Sequence, residues 1–333
     1  MTLAPSIAVR ALLSSALAGA ACVLVLAGAT HAADAPVIRV ATAVQKSGTA
    51  ANLLGIHFRD ARLGWAVGAG GTILKTTDGG KRWKAVASGT SAQLTGLFFA
   101  DSRQGWVVGA NGTILHSSDG GEKWRRQQTG TQSALYGVFF LTPSAGWAVG
   151  AGGTILHTTD GGAHWQDQTS GTNAILYAVH FVDAAHGGAV GAVGTILVTD
   201  DGGATWHGHE TDNSATFFDI TFTDANAGWA VGNAGALYQT SDGGQRWVDR
   251  AMVCDKTCSR PADLVRIRFV DQKSGWIVGE RGTIFRTVDA GFSWTEVPAR
   301  MTKSTLYGLS FIDSAHGWAA GEQGTILQIT AQP

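Results

Sequence analysis

Apolar and polar residues alternate along this chain in short stretches, each cut off by glycine or aspartate before a helical face could build up. LLGIHF from Leu53, LTGLFF from Leu94 and LYGVFF from Leu135 are such stretches. The first two are followed by an Asp-containing turn, and all three by a GWxVG segment, a short glycine turn, a GTIL segment, a DGG turn and a last segment opening on Trp. Alternation of this length predicts half-buried strands, and the glycine turns predict tight hairpins between them. In the first segment the second, fourth and sixth positions are mostly apolar and read as the core face. The third and fifth positions point the other way.

The unit recurs. GWAVG at Gly64, GWVVG at Gly105, GWAVG at Gly146, GGAVG at Gly187, GWAVG at Gly228, GWIVG at Gly275 and GWAAG at Gly317 are seven copies, spaced by 41, 41, 41, 41, 47 and 42 residues. A fixed period of this size marks a solenoid, propeller or array. Four short antiparallel strands per period describe a propeller blade, whereas a parallel β-helix needs shorter coils. The last repeat stops at GTILQITAQP without a DGG turn or a closing Trp segment, while VIRVATAVQKSGT near the start aligns with WKAVASGT one period later. The expected fold is therefore all-β, a single seven-bladed propeller over residues 36–331 with its last blade completed by the N-terminal strand. The longer fifth interval places an insertion at about 252–263.

Composition agrees with this. Charged residues are 15% of the chain, with 46 glycines and six prolines, too apolar for disorder. The first 32 residues differ: Arg10, an apolar run from Ala11 to Ala29, then Thr30-His31-Ala32. They read as a cleaved signal peptide rather than an anchor, which implies a periplasmic or secreted protein with no membrane span after cleavage. Two cysteines then remain, Cys254 and Cys258 in VCDKTCS, and an oxidising compartment favours a local disulfide over a metal site. The mature chain is slightly acidic, and nothing in its charge calls for nucleic acid.

The DGG turns read Thr/Ser-x-Asp-Gly/Ala-Gly-x-x-Trp, with aspartates at Asp78, Asp119, Asp160, Asp201, Asp242 and Asp289. A short carboxylate there can accept hydrogen bonds from its own turn's amides. All twelve tryptophans occupy two register positions, six after the Gly of GWxxG and six closing the DGG turn. Residues repeated this strictly serve the fold. The sequence resembles the BNR or Asp-box propellers through TTDGGKRW at Thr76, SSDGGEKW at Ser117 and their siblings. Alternation of that box with GWxVGxxGTIL is similar to the photosystem II stability/assembly-factor propellers and their relatives in bacteria that do not photosynthesise. The resemblance implies a propeller outside the cytoplasm that binds a protein partner, such as a membrane-complex subunit, and assists assembly without a cofactor.

Asp-box repeats also occur in sialidases, which use an arginine cluster and a Tyr-Glu pair. Here Tyr136, Tyr177 and Tyr307 share one repeat register with Leu54, Thr95, Phe218 and Val265 and read as packing, and Tyr238 has no evident Glu partner. The alternative class is a glycan-binding or glycan-hydrolysing Asp-box propeller, but no pair of acids is singled out. His207-x-His209, His116 and His157 read as solvated, and no metal site is expected.

A site is expected where one blade departs from its siblings. The third position of the first strand reads Gly55, Gly96, Gly137, Ala178, Asp219, Arg266, Gly308, and the fifth reads His57, Phe98, Phe139, His180, Thr221, Arg268, Ser310. Asp219, Arg266 and Arg268 break a small or apolar pattern in adjacent blades. Glu280-Arg281 replaces small residues in a glycine turn, and residues 254–303 hold nine basic and six acidic side chains. Arg266, Arg268, Arg281, Arg286 and Asp219 are thus candidates for a partner-binding face on a monomer. The competing reading is an ion pair between blades, with Arg286 solvated.

Overall fold

The computed structural model describes residues 39–209, 214–250, 262–297 and 301–332. The expected signal peptide, Cys254 and Cys258 lie outside them. Seven four-stranded antiparallel sheets form a closed ring, each ordered in sequence from its inner strand outward. The inner strands are Leu53–Phe58, Leu94–Phe99, Leu135–Phe140, Leu176–Phe181, Phe217–Phe222, Leu264–Phe269 and Leu306–Phe311, here blades 1 to 7. Blade 7 takes its outer strand, Val40–Lys46, from the start of the chain, and this strand pairs antiparallel with Thr325–Ala331 from Val40 opposite Ala331 to Lys46 opposite Thr325.

The tryptophans and phenylalanines hold adjacent blades together. Trp65 of blade 1 stacks on Phe99 of blade 2 at 3.5 Å between ring centroids, and its Nε1 donates to Gly120 O in that blade's DGG turn at 3.1 Å. The same stack joins Trp106 to Phe140, Trp147 to Phe181 and Trp318 to Phe58, each at 3.6 Å. Each of these phenylalanines also receives the edge of its own blade's second tryptophan, as Trp124 meets Phe99. Glycine before the first tryptophan is required by this ring: a Cβ on Gly105 would lie 2.4 Å from Phe99 Cε1.

Glycine at the third inner-strand position is a second close approach. A Cβ on Gly96 would stand 3.0 Å from Tyr136 O, and one on Gly137 2.9 Å from Tyr177 O. Where that glycine becomes Asp219 or Arg266, the next blade is held further off. The Trp229–Phe269 stack between blades 5 and 6 opens to 6.0 Å and the Trp276–Phe311 stack between blades 6 and 7 to 4.5 Å. Trp276 Nε1 is buried without a hydrogen-bond partner among the described residues, since blade 7 has no DGG turn to offer it a carbonyl.

Each Asp box is a closed hydrogen-bond unit. Thr76 Oγ1 donates to Asp78 Oδ1 at 3.0 Å and accepts Gly80 N at 2.9 Å, while Asp78 Oδ1 accepts Arg82 N at 2.9 Å. The arrangement recurs at Asp119, Asp160, Asp201, Asp242 and Asp289. The six carboxylates accept hydrogen bonds from within their own turns. The Arg82 guanidinium and amide lower the Asp78 carboxyl to about 2.

Closure by the first strand gives a direct test. Deleting residues 39–46 leaves the edge of Thr325–Ala331 unpaired and Ile329 and Ala331 partly uncovered. The expected result is a lower melting temperature and concentration-dependent self-association by light scattering. An unchanged, monodisperse chain would contradict closure by this strand.

Candidate functional site

The inner strands carry a β-bulge between their first and third residues in every blade. The bulge corrects the expected core face. The first, fourth and sixth positions supply it, with Leu53 and Leu94 fully buried, whereas the second position is only half-buried and turns to the central channel. Leu54, Thr95, Tyr136, Tyr177, Phe218, Val265 and Tyr307, read from sequence as packing, instead line with Gln93 and Arg266 a cavity of about 220 Å³ at the channel mouth. Two adjacent apolar residues ahead of the alternation, as in Leu53-Leu54, were the sequence signal for the bulge.

Aromatic rings follow one another round this mouth. Tyr136 and Tyr177 lie 5.4 Å apart and Tyr177 and Phe218 5.8 Å. Tyr307 donates its hydroxyl to Glu322 Oε1 at 3.1 Å, and Thr95 Oγ1 donates to Leu135 O at 2.6 Å. The glycine turns share this face, since Ala69 N donates to Asn52 O just ahead of the inner strand. The Asp boxes lie at the opposite end, where Gly79 N meets Arg62 O beside the first hairpin turn.

Past the mouth the channel narrows to a cavity of about 60 Å³ at the glycine register, where Asp219, Arg266 and Arg268 converge. Asp219 is buried, and its Oδ2 accepts Arg268 Nη1 at 2.8 Å and Ile267 N of the next blade at 3.0 Å. Two other polar groups on this face reach the next blade's inner strand: Ser310 Oγ accepts Phe58 N at 2.8 Å and His180 Nδ1 accepts Phe222 N at 3.3 Å. Arg266 differs. Its Nη1 donates to Val265 O at 2.9 Å and Phe218 O at 3.3 Å, and no carboxylate takes its charge among the described residues. Burial lowers its pKa, and the neighbouring Asp219 only partly offsets this.

The fifth position forms a deeper aromatic belt. His57, Phe98, Phe139 and His180 follow at 5.4, 5.1 and 4.9 Å. Burial, with Arg268 adding to it, lowers His57 to about 4 and His180 to about 3. Both rings are therefore neutral near pH 7.

The remaining candidates fall elsewhere. Arg281 is exposed in the glycine turn of blade 6 on the mouth face, with a left-handed φ of 57°. Arg286 is not solvated as one reading had it: its guanidinium lies 5.1 Å from the Trp276 ring, with Nε and Nη1 buried. His116 and His157 occupy the equivalent place, stacked on Trp106 and Trp147 at 4.9 and 4.8 Å rather than solvated. His207 and His209 lie on an outer strand, and no group of three or more His, Cys, Asp or Glu that could hold a metal occurs among the described residues.

Charge is also segregated around the ring. Residues 59–126 hold ten basic and five acidic side chains, and residues 127–250 hold two basic and eleven acidic. Sequence reasoning that looked only for departures from the repeat missed this division, although simple counting along the chain finds it.

The family model described as photosynthesis system II assembly factor YCF48 matches residues 39–132, 122–172, 209–301 and 253–330. Among solved structures, YCF48 bound to D1 peptide is similar at 20% identity and a TM-score of 0.71, covering 88% of this chain and 95% of that one. YCF48 from Cyanidioschyzon merolae is 23% identical with a TM-score of 0.72, covering 87% and 99%. A virginiamycin B lyase from Staphylococcus aureus is 15% identical with a TM-score of 0.74, covering 88% and 99%. No curated protein matches the chain.

Two measurements test the electrostatics. Arg268→Met leaves Asp219 buried without its cation and is expected to cost about 1.5–3 kcal/mol in chemical denaturation. Arg266→Met removes a desolvated charge that no carboxylate hydrogen-bonds among the described residues, and is expected to be neutral or stabilising. Equal losses would contradict the assignment of Asp219 to Arg268. For pH, the buried histidines bind fewer protons folded than unfolded, where they titrate near 6.5. Their contribution is complete above that pH and is lost as pH falls toward 4 and then 3. His57→Phe, the residue found in blades 2 and 3, is expected to reduce the fall in melting temperature between pH 6.5 and 4. An unaltered slope would rule out His57 as a contributor.

Proposed function

The chain belongs to the photosynthesis system II assembly factor YCF48 family, and on that premise we propose that it is an exported, non-enzymatic propeller that binds a protein partner and assists assembly of a membrane or envelope complex. The family match, which extends over most of the ring, carries this reading. A relative bound to D1 peptide supports a polypeptide as the kind of partner. The signal-like residues 1–32 support export to the periplasm or outside the cell, with Cys254 and Cys258 paired there. Among the described residues no helix is long and apolar enough to cross a membrane.

The interior chemistry points the same way. The Asp-box carboxylates are held within their turns, away from the mouth, and Asp219 is engaged by Arg268 and Ile267 N. Neither arrangement leaves a pair of acids facing a glycosidic bond. The lyase is similar at an identity that shows the fold alone.

Affinity capture from an envelope extract, followed by native electrophoresis of a strain lacking the protein, tests the proposal. The expected result is a specific membrane-protein partner whose complex falls in amount without this chain. An unchanged complement of complexes, or turnover of a glycan panel by the purified protein, would overturn it.

A further inference from the structure

We infer that the outer strand of blade 7, Val40–Lys46, is a docking edge to which an extended segment of a partner polypeptide, β-branched and acidic in character, adds as a fifth strand. The inference rests on the protein-binding reading above and names the surface and the kind of segment that meet there.

Length sets this edge apart. The outer strands of blades 1 to 6 are two or three residues long, as in Arg125–Arg126 and Thr295–Glu296, and all but His207–His209 carry a charged residue. In those blades the DGG turn ends the third strand after four or five residues. Blade 7 has no such turn, so Thr325–Ala331 and Val40–Lys46 run side by side for seven residues without a register shift. Short length, charge, proline and bulges are the usual protections of a sheet edge. Of these Val40–Lys46 has only the charge of Lys46, and its Val44 is 52% exposed.

The backbone of the edge is ready for pairing. Gln332 N donates to Arg39 O, and antiparallel bonding alternates from there. Arg39, Ala41, Ala43 and Gln45 therefore turn their N–H and C=O groups to Thr325–Ala331, while Val40, Thr42, Val44 and Lys46 turn theirs out of the sheet. Among the described residues no strand pairs with that outward side.

Side chains give the partner its character. Gln45 reaches blade 1, its Nε2 donating to Gly79 O at 2.8 Å, so Thr42 and Val44 share the opposite face of the strand. β-branched residues laid across from them pack well there. Arg39 and Lys46 are the only charges in residues 39–48, and both are exposed. Trp83 Nε1 donates to Gln45 Oε1 at 3.4 Å, and the next residue of blade 1, Lys84, is another exposed cation. Acids in the incoming segment meet these charges. A second copy of this chain would bring the same cations, with no acid on the strand to answer them.

Fluorescence anisotropy on the full chain tests this with a labelled octapeptide that alternates valine with threonine and glutamate. Two further versions are N-methylated at every second residue, one for each alternate set. The unmodified peptide is expected to bind, and one of the methylated versions to bind about tenfold or more weakly. Val44→Pro removes an outward N–H and no ladder bond, at an edge position where a sheet tolerates proline. It is expected to keep the melting temperature and to weaken peptide binding about tenfold or more. Unchanged binding by a folded Val44→Pro overturns the inference, and so does equal binding of all three peptides by the wild type, which needs no variant to fold. Dimers of the wild type in analytical ultracentrifugation that Val44→Pro dissolves would give the edge to a second copy and overturn it as well. If no peptide binds and Val44→Pro still captures the membrane partner, this inference fails and the protein-binding reading stands. Peptide binding by a chain that captures no partner and alters no complex does the reverse.

Discussion

Stacking of a tryptophan from one blade on a phenylalanine of the next is the interaction on which the ring depends. A propeller blade has little to hold it to its neighbour except side chains from two sheet faces, and here Phe58, Phe99, Phe140 and Phe181, each at the end of an inner strand, are covered on their faces by the preceding blade and on their edges by their own. Such pairs add about 0.5–1.5 kcal/mol each beyond the burial of their area. The indole N–H then fixes angle as well as distance by reaching the neighbour's DGG turn. The glycine before each tryptophan makes room for the phenylalanine ring, so the GW pair and the phenylalanine one strand earlier are a single device. In blade 4 Gly188 stands in the tryptophan's place, and Phe222 Cε2 of blade 5 lies 2.9 Å from where its Cβ would be.

The repeat made the fold legible before any coordinates: the blade count, the Asp-box turns and closure by the first strand are all present in spacing. The bulge was not read, because strict alternation was carried through residues that do not obey it. That error put Tyr136, Tyr177 and Tyr307 among packing residues when they form a wall of the mouth. Comparing blades did single out Asp219, Arg266 and Arg268. It could not say which arginine Asp219 holds, since that depends on how two long side chains curl within a space set by the bulge and the glycine register. Arg286 was grouped with them by sequence proximity, yet strand pairing sets it against Trp276 on the third strand of its blade.

Irregularity in the stacks and irregularity in the channel fall in the same sector. Glycine at the third inner-strand position accompanies stacks of 3.5–3.6 Å, and Asp219 and Arg266 accompany the two widened ones. Side chains placed between blades act as spacers, so polar groups enter this channel by loosening the apolar contacts on either side. The ring gives up packing between blades 5, 6 and 7 and gains a charged interior there. Arg268 and Asp219 recover part of that loss through their hydrogen bonds, whereas Arg266 recovers little.

Pairing of Val40–Lys46 with Thr325–Ala331 also sets an order in time. Blades made of consecutive residues can collapse locally as the chain emerges, but the contact that closes the circle joins residues almost 300 positions apart in sequence and has the largest loop to close. Until the final strand is available, the first one waits as an unpaired edge and the channel has no complete wall. The channel mouth draws on all seven inner strands, so it is walled on every side only once the last blade is in place.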